Sequence, residues 1–299
     1  MTVAETLAAF LDWTAEHRAP ATVEFYADTL DTFGARFADR DPASLTPLEI
    51  EDWLRSAGRK ADGTPKAPDT RRGLAVAWLR WQRWSIERRL LPAPILSKLE
   101  KPPPRLRTRI PTQGEIAALL ARASPSFGLI FRALLVSGAR PGELAAAQIA
   151  DWDQAGQRIV LREHKTARKT GKPRIIPVGQ ALAALLRQAK GSRTRGPLFL
   201  APHGGPWNSR TLSATFRYLR KKCRLKSDLV LYQTRHYAGT KLCETAGPHV
   251  AKDVLGHSSI KTTERYIHTT TDQLARAQDA LPKLPGSTVP LDPKRKNAR

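Results

Sequence analysis

The chain has 299 residues, of which 41% are hydrophobic and 26% charged, the proportions of a folded protein rather than a disordered one. Lysine and arginine number 50 against 27 acidic residues, and the formal net charge of +23 favours a polyanion, nucleic acid before acidic lipid, as the partner. With two cysteines and no apolar run near the roughly 18 residues of a membrane span, a disulfide framework and a membrane protein are both disfavoured. The N-terminus lacks the basic start of a signal peptide, so we expect a cytoplasmic protein, associated with the nucleoid in a bacterial host.

The first hundred residues show a helical pattern. Apolar residues at helical spacing predict helices over 2–17, from 21, from 47 and over 70–90. The tryptophans at 78, 81 and 84 could form a platform for stacked bases, but their spacing favours a buried helix face. We therefore predict a helical DNA-binding domain over residues 1–97.

Three consecutive prolines, at positions 102 to 104, interrupt this pattern. Such a run lacks backbone donors and favours an extended, semi-rigid spacer. We predict a basic, proline-rich linker over 98–111, in which Arg105 and Arg107 contact phosphates.

Residues 112–282 are predicted to form a second domain, so that the fold class is mainly α with a small β-hairpin or sheet (α+β). Thr112 is a good N-cap, Gly138 a natural helix end, and Pro141 a favoured first helical residue. Strands are predicted over 158–161 and 174–178. The predicted helices cover 112–120, 127–136, a segment from 141, 181–190, 209–222, 233–246 and 250–255. The proline-rich basic segment 283–299 is predicted to be a disordered tail.

Two basic segments of this domain are candidates for phosphate contacts. The loop between the two strands and its borders carry Arg158, Arg162, Lys165, Arg168, Lys169, Lys172 and Arg174. The helix over 209–222 and the residues after it carry Arg217, Arg220, Lys221, Lys222, Arg224 and Lys226. A desolvated lysine among cations can also act as a general acid, and Lys165 is weakly favoured for this over Lys169 and Lys172.

Four further residues stand in positions that suit phosphate chemistry. Arg140 precedes Pro141 and Arg235 follows Thr234, so each arginine borders a predicted helix N-terminus, where anions bind readily. Glu143 can brace Arg140 across one helical turn. His257 follows Gly256, and Tyr266 comes nine residues later. Taken singly, each of these residues is more often structural than functional.

Taken together, the segments RPGEL, HKT between two strands, YQTRH, LGH and ERY resemble the tyrosine recombinase (phage integrase) family in order, context and spacing. The resemblance implies that Tyr266 is the nucleophile and Lys165 the general acid. It also implies that Arg140 and Arg235 clamp the scissile phosphate, that His257 hydrogen-bonds it and that Glu143 supports Arg140. It further implies a mobile-element or recombination role, double-stranded DNA as the partner, a tetramer on paired sites, and no metal or other cofactor.

One position departs from the usual family pattern. Tyr232 stands where the family commonly has histidine, three residues before the second arginine. A tyrosine can donate a hydrogen bond there but titrates at about pH 10, so base assistance is open and the neighbouring His236 is an alternative.

Other functions remain open on the sequence alone. A DNA-binding protein of the same fold with lost or altered catalysis is one, and a type IB topoisomerase-like enzyme is another. A metal-dependent nuclease would use Asp151 and Asp153, which lack a third ligand. The set Cys243, His249 and His257 fits no structural zinc spacing.

Overall fold

The computed structural model describes residues 1–103, 109–163, 171–267 and the single residue 278. The chain divides into two compact units, Met1–Arg107 and Thr108–Arg299. No helix within the described ranges is both long and apolar enough to cross a bilayer. Arg105, Arg107, Lys165, Arg168, Lys169 and the predicted tail lie outside the described residues.

The first unit is helical, as predicted. Its helices are α1 (Val3–His17), α2 (Pro20–Phe37), α3 (Pro47–Ala57) and α4 (Pro68–Glu87). Thr2 and Thr46 close capping boxes at the starts of α1 and α3, because each hydroxyl accepts the N–H of a glutamate three residues on. The predicted fourth helix is displaced: α4 starts earlier, where Pro68 supplies a fixed φ, and ends at Glu87.

The tryptophans of α4 form the core of this unit. Trp78 and Trp81 are fully buried and Trp84 is 2% exposed. Phe33 packs edge-on against Trp81 with ring centroids 5.0 Å apart. The buried face predicted from their spacing is confirmed, and the alternative of a base-stacking platform is wrong because no ring face is open to solvent.

The helices of the second unit surround a single apolar core. They are α5 (Gln113–Arg122), α6 (Pro125–Ser137), α7 (Pro141–Ala146), α8 (Gln180–Lys190), α9 (Ser209–Lys222) and α10 (Gln233–Leu255). Gly138 ends α6 in the left-handed conformation, with φ of 62°. The predicted break at Gly247 is present as a kink within α10, where φ is 81° and ψ 164°.

A small antiparallel sheet lies beside these helices. Its strands are β1 (Trp152–Asp153), β2 (Arg158–Leu161) and β3 (Arg174–Pro177), in the order β1-β2-β3. In the β2–β3 register, Leu161 faces Arg174. The hairpin is confirmed, whereas β1 was missed because two residues are too short to show alternation.

Candidate active site

Arg140, the first predicted arginine, lies at the N-cap of α7. Its backbone N–H donates to Oε2 of Glu143 at 2.9 Å, and its Nη1 donates to Oε1 at 2.5 Å. The Glu143 side chain is 4% exposed and that of Arg140 21%. The predicted brace across one turn is therefore present, and it fixes the Arg140 fork at the start of a helix.

The second predicted arginine, Arg235, is fully buried in the first turn of α10. Its Nη1 donates to the carbonyl of Gly138 at 2.7 Å, and its Nη2 to that of Leu255 at 2.8 Å. Both carbonyls belong to helix C-terminal ends, where backbone acceptors lack helical partners. The helix starts at Gln233, as predicted, so Thr234 lies inside its first turn rather than at its N-cap, and the Thr234 hydroxyl donates to the Leu231 carbonyl.

The structure adds a third arginine to this cluster. Arg174 on β3 is only 5% exposed, and its Nε lies 3.6 Å from Oε2 of Glu143. Burial lowers its pKa to about 10, and the charges of Arg235 and Arg140 act in the same direction against that of Glu143. Arg174, which the sequence placed among the candidates for phosphate contacts at the borders of the hairpin loop, is therefore buried and points into the domain.

The carboxylate of Glu143 balances part of this positive charge. Burial raises its pKa, but the Arg140 N–H and the charges of Arg174 and Arg140 outweigh burial, so that the net shift is downward. Glu143 thus stays ionised at neutral pH. Three guanidinium groups around one carboxylate leave a net positive pocket, which suits a phosphate.

His257 is 9% exposed and follows the left-handed Gly256 that ends α10. Its Nδ1 lies 2.8 Å from the Thr263 hydroxyl oxygen. Burial, followed by the charges of Arg235 and Arg140, lowers its pKa from 6.5 to about 4. The imidazole is therefore neutral at pH 7, and when Nδ1 accepts the Thr263 hydroxyl hydrogen, Nε2 carries the ring proton.

Tyr266 lies in a short 3₁₀ helix, Glu264–Tyr266, and is 2% exposed. Its ring stacks on that of His257 with centroids 5.9 Å apart and meets the edge of His236 at 5.2 Å. The ring also packs on Gly239, where a Cβ would come within 2.9 Å of Cγ. Burial raises the pKa of the Tyr266 phenol above its usual value. The positive charge of Arg235 and the hydrogen bond between Arg235 and Tyr266 lower this pKa but do not outweigh burial.

Tyr232, which departs from the family pattern, is the most exposed of the predicted catalytic residues that the structure describes. Tyr232 is 43% exposed at the N-cap of α10, and its ring meets the edge of His236 at 5.6 Å. His236 is buried between the two tyrosine rings. The structure thus brings together six of the seven predicted catalytic residues, and Lys165 lies outside the described residues.

The predicted phosphate contacts fall into two groups. Arg217, Lys221 and Lys222 are exposed on or at the end of α9, whereas Nη1 of Arg220 donates to the carbonyls of Ser227 and Leu229 and closes the turn after this helix. Lys172 is exposed at the border of the hairpin loop.

The acidic pair considered for metal binding has structural roles. Asp151 accepts the N–H of Gln148 at 2.8 Å, and Asp153 accepts the N–H of Gly156 and Nε of Arg158 at 2.8 and 2.9 Å. Across the described parts of the chain, no three histidine, cysteine or acidic side chains form a metal-binding group.

The sequence and the fold of this chain are similar to those of known proteins. The model of the phage integrase family matches residues 112–273, more than half of the chain. The chain therefore belongs to the phage integrase family, the family of tyrosine recombinases.

Similar proteins agree with this membership. A tyrosine recombinase XerC 2 from Ralstonia nicotianae is 29% identical over 258 residues, covering 80% of this chain and 73% of that protein. A lambda integrase fragment in a dimer bound to a COC' core site shares the fold, with a TM-score of 0.73, 18% identity, and coverage of 89% of this chain and 95% of that one. A lambda integrase tetramer bound to a Holliday junction aligns with a TM-score of 0.71 and 17% identity, over 87% of this chain and 78% of that one.

Proposed function

We propose that this chain is a site-specific DNA recombinase in which Tyr266 cleaves DNA through a covalent 3′-phosphotyrosyl intermediate. The observation that carries the proposal is the burial of the Tyr266 phenol against His257 and beside Arg235, whose charge acts on it. Arg140 belongs to the same cluster, since its charge acts on both Arg235 and His257. Fixed cations near a nucleophile stabilise the charge that develops on a phosphate under attack.

The proposed step exchanges one phosphodiester for another. The Tyr266 oxygen bonds to phosphorus and gives up its proton, while the bond to the 5′ oxygen breaks and that oxygen takes up a proton, for which Lys165 is the proposed donor. Arg140 and Arg235 are assigned to the two non-bridging oxygens. Because the number of phosphate esters is unchanged, rejoining needs no ATP.

The histidines supply the remaining contacts in this proposal. His257 donates from Nε2 to a phosphate oxygen, in the tautomer that its Thr263 contact favours. His236 lies against the Tyr266 ring and is a candidate acceptor of the phenol proton, with Tyr232 beside it. Since Tyr266 and Arg235 are both buried, we infer that the segment 260–267 moves when the scissile phosphate enters.

The remaining parts of the chain fit a DNA partner. The net charge of +23 and the exposed Arg217, Lys221 and Lys222 support contacts to a duplex backbone. We propose that the unit Met1–Arg107 is the second DNA-binding domain. We further propose that recombination proceeds in a tetramer on two paired sites at the nucleoid, as the lambda integrase tetramer on a Holliday junction suggests.

A suicide substrate tests the nucleophile. A library of duplexes with a randomised segment and one nick is incubated with the protein, and covalent complexes are recovered from a denaturing gel and sequenced. We expect complexes with the wild type and none with Tyr266→Phe. Tyr218→Phe is the matched control, because Tyr218 is 56% exposed on α9 and lies outside the site. A covalent complex that persists in Tyr266→Phe would refute the assignment.

The duplex selected in this way then distinguishes a recombinase from a topoisomerase that uses the same chemistry. Two copies on a plasmid are expected to recombine, with products of defined size. Relaxation of the supercoiled plasmid without any exchange between the copies would indicate a topoisomerase instead.

A further inference from the structure

Arg174 makes a set of contacts that joins three separate parts of the catalytic domain. Its Nη2 donates to the carbonyl of Val254 at 2.8 Å, and its Nη1 to that of Ile175 at 2.5 Å. Its Nε faces Oε2 of Glu143 at 3.6 Å. One buried side chain thus links β3, the last turn of α10 and the carboxylate that holds Arg140.

The surroundings leave room for this guanidinium and for little else. A Cβ at Gly256 would lie 2.8 Å from Cζ of Arg174, so the guanidinium packs directly on the glycine that ends α10. That glycine has φ of 66° and is followed directly by His257. The position of the His257 backbone is therefore tied to that of Arg174.

Two nitrogens of Arg174 donate to backbone carbonyls, the third lies 3.6 Å from the Glu143 carboxylate in an ion pair without a hydrogen bond, and the side chain is only 5% exposed. The side chain of Arg140, by comparison, is 21% exposed. Lysine could not reproduce the arrangement, because a single ammonium cannot face three acceptors in the plane of a fork. The chemistry of the site therefore requires arginine specifically.

We propose that Arg174 is a positioning residue, which holds Glu143 and hence Arg140 in the geometry for cleavage and fixes the turn that carries His257. This inference rests on the proposed function for its catalytic readout. A misplacement of about 1 Å in a phosphate clamp can cost roughly 10² in rate, which sets the size of the effect expected when Arg174 is removed.

The first measurement is the single-turnover rate of covalent-complex formation on the selected nicked duplex, at saturating protein. We expect Arg174→Met to lower the rate constant by about 10²-fold while the final amount of complex and the affinity for the duplex stay near wild type. We expect the rate constant of the double variant, Arg174→Met with Glu143→Gln, to lie within about threefold of that of the slower single variant, because both changes release Arg140.

Arg193→Met is the matched control. Arg193 is a half-buried arginine that donates to the carbonyls of Ala189 and Leu198, the latter at 3.0 Å, at the end of α8 and away from the site. We expect this variant to lower Tm without changing the rate constant. If Arg174→Met behaves in the same way, or if its effect multiplies with that of Glu143→Gln, the proposal is wrong. Should the methionine variant fail to fold, Arg174→Lys, which keeps the charge and most of the volume, gives the same comparison.

A second measurement is independent of catalysis and so separates this proposal from the proposed function. The ¹³Cδ signal of Glu143, identified by its loss in Glu143→Gln, is titrated in the wild type and in Arg174→Lys and Arg174→Met. The charge of Arg174 lowers the pKa of this carboxylate, so we expect that pKa to rise in the methionine variant and to rise less in the lysine variant. An unchanged titration would overturn the coupling, even if the wild type formed no covalent complex.

Discussion

Arg235→Lys tests whether one buried guanidinium serves both the fold and the reaction. In the structure its two terminal nitrogens donate to the Gly138 and Leu255 carbonyls, at 2.7 and 2.8 Å. A lysine ammonium has a single nitrogen and cannot take the positions of both Nη1 and Nη2, so we expect one of the two carbonyl bonds to be lost. The substitution keeps the positive charge, so its effect isolates the geometry of the guanidinium.

The expected magnitude follows from the lost hydrogen bond. A hydrogen bond to a charged group contributes about 1.5–3 kcal/mol, and we expect the free energy of unfolding of the catalytic domain to fall by that amount. For a domain of this size the loss corresponds to a Tm lower by roughly 3–12 °C. Because one phosphate-facing donor is also lost or displaced, the cleavage rate constant should fall by roughly 10²–10³.

Calorimetry measures the first effect, and single-turnover cleavage of the selected nicked duplex, well below Tm, measures the second. Arg193→Lys provides the control, since it also disturbs an arginine bonded to carbonyls, but at the end of α8. A wild-type Tm for Arg235→Lys would show that the lost carbonyl bond contributes nothing to stability. A rate constant near that of the wild type would remove Arg235 from the clamp.

Three further predictions concern other parts of the site. Arg140→Ala should lower cleavage by at least roughly 10²–10³ and leave most duplex affinity, as measured by gel shift; a near-normal rate would contradict the clamp. Since the pKa of His257 is about 4 in the folded chain against 6.5 for the free side chain, only the unfolded imidazole is protonated between these values. Stability should therefore fall as the pH drops through this window, and denaturant titrations of His257→Gln should show a flatter dependence; an equal slope would refute the assignment. Gly138→Ala should cost more than the roughly 1–2 kcal/mol of a left-handed non-glycine residue, because its Cβ would meet Leu255 Cδ2 at 2.7 Å, whereas Gly171→Ala, with open space around it, should cost the strain alone.

The sequence by itself determined the features that depend on neighbouring residues. The cap at Thr112 and the stop at Gly138 follow from local backbone chemistry, and the structure has both of them. The Arg140–Glu143 pair was predictable for the same reason, since its two residues are one helical turn apart. The buried face of α4 was visible as a periodic stripe.

The order of short motifs determined the family, because five segments with fixed contexts are jointly far more specific than any one of them. It did not determine which basic residues of a cationic chain face solvent. Arg174 and Lys172 are two positions apart, yet one is buried and the other exposed. Lys172 precedes β3, whereas Arg174 is its first residue and faces Glu143 and the Val254 carbonyl, so the partners across the fold, rather than residue type, decided between them.

Only the tertiary structure decided how the site is held together. The partners of Arg235 lie 97 and 20 residues away along the chain, and Val254 is 80 residues from Arg174. Such contacts leave no periodic or local signal, because the chain must fold before helix ends so distant in sequence become neighbours. The same holds for the burial of Tyr266, which packs on Gly239 and His236, three residues apart on α10, and on His257 after the end of that helix.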